Sequence, residues 1–378
     1  MRAVPVLLSL ALSSPLSAQS AREITLGAPT GAHPGEFGMI NGVRELADGS
    51  VLVADPMDRV LKRLDRTLAQ ATTLGRSGAG PGEHKQPDSV WPLPGDSTLL
   101  VDLGNARLTA LDNRGRFGNT TPIVSGGDAG PGSMTFMIPG GIDHAGNIYF
   151  RAMSRGDSNA LMKHDRRTGR TEQVASLKAP EMKTTESGGP NNRNVSSRPV
   201  PLSPQDGWAV SPSGLVYVVR ASDYHVDVRG PDGSWRSGAP VNHRPVPIGR
   251  AEREEWQAEV QRRGGVGVGV EMNNGQRSVT LQRGRPPQST LDDLPWPEAK
   301  PAFGAAHTWV DGRERLWVRR NQPAGQPWRY DLFDPRGQHI GTVQLPADRQ
   351  VAGMGLLSVY LVRFDDSDLQ YLERYALP

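Results

Sequence analysis

The segment Pro34–Asp65 reads PGEFGMINGVRELADGSVLVADPMDRVLKRLD, and Pro81–Asp112, 47 residues later, reads PGEHKQPDSVWPLPGDSTLLVDLGNARLTALD. The two align without a gap. Pro34/Pro81, Gly35/Gly82, Glu36/Glu83, Val43/Val90, Leu46/Leu93, Leu52/Leu99, Asp55/Asp102, Leu64/Leu111 and Asp65/Asp112 are identical pairs. A shared register of this length is an internal repeat, and a period of about 40–50 residues with strand patterning is the mark of propeller blades. Each unit predicts four strands: Ile40–Leu46, Val51–Ala54, Val60–Leu64 and Gln70–Leu74 in the first. Asp, Gly and Asn punctuate the β-branched and leucine runs, as hairpins require.

Weaker copies follow. GGIDHAGNIYFRA (140–152) opens a third unit, WAVSPSGLVYVVRA (208–221) a fourth, HTWVDGRERLWVRR (307–320) a fifth, and VAGMGLLSVYLVRF (351–364) a sixth. The sixth lacks a fourth strand, while REITLGA (22–28) belongs to no unit. Pairing the two closes the ring and hides the edges. The fold class expected is all-β, a six-bladed propeller over 21–378 whose N-terminal strand closes the last blade. Insertions fall at about 178–204 and 241–302. The first, polar and glycine-rich, reads as loop. In the second, Arg250–Arg263 has Glu and Arg at helical spacing before Gly264, which predicts a short helix. There Trp256 and Val260 are placed to dock on the propeller rim, and GGVGVGVEM (264–272) reads as a flexible segment or short strand.

The bulk numbers agree. An apolar fraction of 36% with 44 Gly and 32 Pro suits short, half-buried strands joined by many turns. A net charge of +3 on 378 residues is no nucleic-acid-binding surface. Residues 1–20 carry Arg2, an apolar run Val4–Leu16 and a small-x-small pattern at Ala18 and Ser20, the layout of a secretory signal peptide. With no Cys in the chain, the reading is an exported periplasmic or extracellular protein with no stable membrane insertion.

Gly80-Pro81-Gly82-Glu83, Asp48-Gly49-Ser50-Val51-Leu52-Val53-Ala54-Asp55 and Asn105-Ala106-Arg107 resemble the lead-in, second strand and turn of the NHL-type six-bladed propellers. The resemblance is good for two units and thin for the last three. It implies architecture and transfers no chemistry.

Repeat symmetry places Asp55, Asp102, Arg151, Arg220, Arg319 and Arg363 at equivalent ends of the second strands. An arc of arginines could clamp a carboxylate or phosphate by bidentate hydrogen bonds. Alternatively each ties down a loop through an acidic neighbour such as Asp157, Asp223 or Asp365. Asp55 and Asp102 read as turn residues that bind their own backbone. Arg44, Trp91 and His307 are further candidates for the channel. Gluconolactonase-type propeller hydrolases hold a calcium ion in the channel, and Asn41, Asp88 and Asp206 are the weak counterparts here. No zinc spacing and no nucleophile elbow is present. The first functional reading is a non-catalytic exported binding or scaffold protein holding an anionic small molecule, glycan or protein segment on its Arg-rich face. The alternative is a metal-dependent propeller hydrolase or lyase with its site in the central channel.

Overall fold

The computed structural model describes residues 22–126, 134–152, 156–189, 194–273 and 276–378. The leader expected at 1–20 lies outside them. Among the described residues no helix is long and apolar enough to cross a membrane.

Six antiparallel sheets follow one another along the chain. Blade one comprises Gly42–Glu45, Val51–Asp55, Val60–Leu64 and Ala71–Leu74. The inner strands, which begin at Gly42, Pro87, Gly141, Gly207, Phe303 and Arg349, each neighbour the next and complete a closed circle around the axis. Their small residues are explained by this crowding. A Cβ on Gly42 would lie 2.8 Å from the backbone of Ser89 and Val90, and one on Gly353 would lie 2.9 Å from Val43. Either would force neighbouring blades apart.

The apolar core is six wedges, one between each pair of adjacent blades. Alternation along each second strand feeds both neighbouring wedges: Val51 and Val53 face blade six, while Leu52 and Ala54 face blade two. Burying such a side chain contributes roughly 1.5–3 kcal/mol. On the lower face, Asp65, Asp112, Asp165 and Asp334 each accept backbone N–H groups of the outer turn, which is why the motif recurs.

Ring closure differs in detail from the expectation. Arg22–Thr25 runs parallel to His339–Gln344 and forms a fifth strand of blade five. The missing outer strand of blade six is instead Gly31–Ala32, paired with Glu373 and Arg374. The N-terminal segment therefore straps two blades together, and Leu26 is buried between them with Tyr375 and Leu377. The first insertion is a hairpin rather than a loop, Met182–Ser187 against Asn194–Pro199. The second contains the helix α1, Arg250–Arg263, and a hairpin, Gly265–Asn273 with Gln276–Gly284. The Gly-Val alternation has strand period, with Val266 packed on the wedge between blades two and three. Both insertions leave outer strands and enter inner ones, so they rise on the same upper face.

Candidate functional site

The helix α1 spans the mouth of the axial channel. Glu252 accepts the N–H of Gly249 at its start, and Gly264, with φ of 64°, ends it. None of its residues is buried, so polar contacts fix it in place. Glu252 and Glu255 accept the N–H groups of Ala324 and Gly325, Lys300 donates to Glu255 at 2.8 Å, and Arg262 pairs with Asp368 of blade six at 2.8 Å. Trp256 packs edge-on against Trp296 of the same insertion and lines a small cavity with Pro323 and Trp328 of blade five. Past α1, Gln86 bonds both backbone groups of Arg283, whose guanidinium reaches Asp88 at 2.5 Å. The insertion is thereby moored to blades five, six and two.

Beneath α1 the inner strand of blade five bulges. Phe303 pairs with Arg320 and Thr308 with Val318, so Gly304–His307 stand opposite Arg319 alone. Such bulges re-aim side chains, and this one presents His307 to the helix. Glu259 bridges the two: its Oε1 lies 2.6 Å from His307 Nε2 and its Oε2 2.9 Å from Arg319 Nη1. Trp328 buttresses both, with the Arg319 guanidinium 4.2 Å over its ring and His307 edge-on at 5.1 Å. Burial pushes the Glu259 carboxyl up, but Arg319 and His307 outweigh it and hold it well below the usual carboxylate range. Burial, then the Arg319 charge, lowers His307 to about 4. At neutral pH the pair is thus a carboxylate and a neutral imidazole. A carboxylate only accepts, so His307 must donate through Nε2. Its Nδ1 carries the lone pair and makes no hydrogen bond among the described residues.

Two further arginines face this space. Arg151, from the second strand of blade three, and Arg263, the last residue of α1, have no hydrogen bond or ion pair from their side chains among the described residues. Both side chains are exposed to solvent, and the atoms crowded around them lower their basicity. Arg151 feels the Arg263 charge, while Arg263 feels the Glu259 carboxylate, which raises its basicity, and then Arg319 and Arg283, which lower it. Four guanidinium groups here face two carboxylates, Glu259 and Asp88, which leaves an excess of two positive charges.

The arginine arc is therefore unequal. Arg220 is held by Asp206 at 2.9 Å and Asp227 at 2.7 Å, Arg363 lies 3.3 Å from Glu373 over the ring of Tyr371, and Arg319 is bound by Glu259. Of the four, Arg151 alone is unpartnered among the described residues. Asp55 and Asp102 tie loops: Asp55 accepts the N–H groups of Gly38, Met39, Met57 and Asp58, and Asp102 those of Lys85 and Gln86. Arg44 does not reach the channel; it binds Thr98 and, at 3.0 Å, Asp96, locking blade one to blade two. Trp91 packs in the wedge between blades two and three, its indole donating to Ser89 at 3.1 Å. Strand alternation turns both side chains sideways between blades.

The metal candidates do not form one donor set. Asn41 donates to the main-chain oxygen of Asp88, the Asp88 carboxylate is bound by Arg283, and Asp206 is bound by Arg220 and by the N–H groups of Lys178 and Ala221. Among the described residues no three His, Asp or Glu side chains gather as a metal site. Glu259, Arg263 and Arg283 were not legible as site residues, because only the folded insertion carries them to the axis.

No family model matches this sequence, and no curated protein matches it. Solved structures do. A calcium-binding protein, regucalcin, from Agrobacterium tumefaciens shares 11% identity over 95% of this chain and 98% of its own, with a TM-score of 0.40. A gluconolactonase from Xanthomonas campestris shares 10% over 92% and 88%, TM-score 0.42. A protein described as exported, from Bacteroides fragilis, shares 10% over 94% and 99%, TM-score 0.46. At such identities the likeness is one of fold.

Proposed function

We propose that the protein binds a small organic anion, a carboxylate or phosphate, in the channel mouth beneath α1, with Arg151 and Arg263 as its anchors. The observation that carries this reading is the pair of guanidinium groups, Arg151 and Arg263, that have no hydrogen bond or ion pair among the described residues and act on one another. An excess of like charge costs free energy, and an anionic ligand returns it. Planar guanidinium groups bind carboxylate and phosphate through paired hydrogen bonds. Millimolar carboxylates and phosphate are expected to raise the melting temperature of the native protein. An Arg151→Ala, Arg263→Ala double variant is expected to lose that response, a fall in affinity of about 100-fold at roughly 1.5 kcal/mol per charge-assisted bond. A response of equal size in both proteins refutes the assignment.

A catalytic reading, as a hydrolase or lyase, rests on His307. Its free Nδ1 lone pair, fixed by Glu259, stands beside the proposed anion site and is available to accept a proton from bound substrate or water. Turnover lost in a His307→Gln variant that still binds the anion would support it. The metal-dependent form of this reading requires Asp88 to be released from Arg283, which chelator-sensitive, stoichiometric calcium in the purified protein would reveal. Residues 1–20 place the protein outside the cytoplasm in this reading, and a mature N-terminus at or near Ala21 is the expected result of N-terminal sequencing.

A further inference from the structure

Glu259 is a carboxylate bound as a ligand is bound. Arg319 and His307 come from the propeller, both are braced on Trp328, and together they offer two donors at 2.9 and 2.6 Å to the two oxygens of one carboxyl group. The carboxyl group comes from an insertion that is not part of any blade. Nothing in that arrangement requires the carboxylate to be attached to α1. We propose that Arg319, His307 and Trp328 form a carboxylate-binding cradle that Glu259 occupies from within, and that a ligand carrying two carboxylates enters by displacing Glu259 and lifting α1.

The helix is held mainly by polar contacts. Its side chains are half-buried or exposed, and apart from Glu259 its polar moorings on blades five and six are two hydrogen bonds, from Ala324 and Gly325, and the Arg262–Asp368 ion pair. It is bounded by Gly249, in an extended conformation, and by Gly264, whose positive φ other residues rarely adopt. A tethered group competes at an effective concentration on the order of millimolar for a flexible link. A free monocarboxylate must match that concentration and also break the other moorings. A second carboxylate resting on Arg151 and Arg263 would offset this cost. The dicarboxylate class rests on the anion site proposed above; the occupancy of the cradle by Glu259 does not.

Two measurements separate these claims. In a Glu259→Ala variant the cradle is vacated and the melting temperature falls. Acetate at tens of millimolar is expected to restore most of the loss, chloride at equal ionic strength none, and acetate is expected to fail in a Glu259→Ala, Arg319→Ala variant. Equal responses to acetate and chloride overturn the cradle, whatever Arg151 and Arg263 do. In the wild-type protein, succinate is expected to raise hydrogen exchange of the α1 amides about tenfold or more, since they would open locally. Succinate that stabilises the protein while leaving α1 exchange unchanged or slower overturns the displacement. Acetate rescue that persists after Arg151→Ala, Arg263→Ala substitution shows that the cradle stands independently of the anion site.

Discussion

Replacing Asp331 with alanine is expected to destabilise the protein by about 3–5 kcal/mol, the usual cost of stranding the partner of a buried charge. Asp331 is fully buried in the third strand of blade five. One of its oxygens accepts the buried Tyr224 hydroxyl from blade four and the Arg320 guanidinium at 2.8 Å, and His339 stands 3.4 Å from the other. Burial pushes the carboxyl up, yet His339, Arg320 and Tyr224 hold it below its ordinary value. A depressed native pKa means that this stabilisation is present above the unfolded value of about 3.9 and is lost as pH falls through the native one. Chemical denaturation at neutral pH measures the loss. Asp331→Asn keeps the volume and an acceptor but not the charge, so a smaller loss is expected. A change under 1 kcal/mol in the alanine variant would mean the cluster contributes no more than an exposed ion pair does.

A chain beginning at His33 should lose roughly 4–7 kcal/mol and associate. It lacks Leu26, whose removal from a core costs about 2–5 kcal/mol, and two hydrogen bonds from Thr30 to Arg374 that contribute about 1 kcal/mol each. It also bares the edge of Gln370–Ala376, the strand that Gly31–Ala32 covers. Exposed strand edges template pairing between chains. Size-exclusion chromatography with thermal melting reads both effects. A monomer of unchanged stability would show that the strap is decoration and that six wedges hold the ring unaided.

The wheel was written in the repeat because strand period and turn chemistry are local. Leu52 and Leu99, or Asp55 and Asp102, sit at the same place in two blades and look the same in the chain. The strap was half legible: REITLGA was seen to be an unassigned strand. A parallel pairing with Gly341–Gln344 needs no turn between partners, so no signal marks which blade receives it. The hairpin of Met182–Ser187 with Asn194–Pro199 escaped because its strands, rich in Thr and Ser, carry no apolar alternation to set a period.

The site was legible only as a set of positions. Symmetry gave Arg151, Arg220, Arg319 and Arg363 a common height, but function depends on which of them a carboxylate has already claimed. Asp206 lies 14 residues from Arg220 and Glu259 lies 60 from Arg319. No pattern of either period connects such pairs. His307 was marked as a channel residue; the bulge turns it toward Glu259 of α1 and Trp328. What the chain could not show is that α1 lays Glu259 on it, which fixes its tautomer and leaves Nδ1 free.

The anion site is tested most directly by crystals grown with selenate, a tetrahedral dianion whose selenium is located by anomalous scattering. The account predicts an anomalous peak within hydrogen-bonding distance of both the Arg151 and the Arg263 guanidinium groups. Selenate found only elsewhere on the protein, or a carboxylate of the chain itself lying between those two arginines, would contradict it.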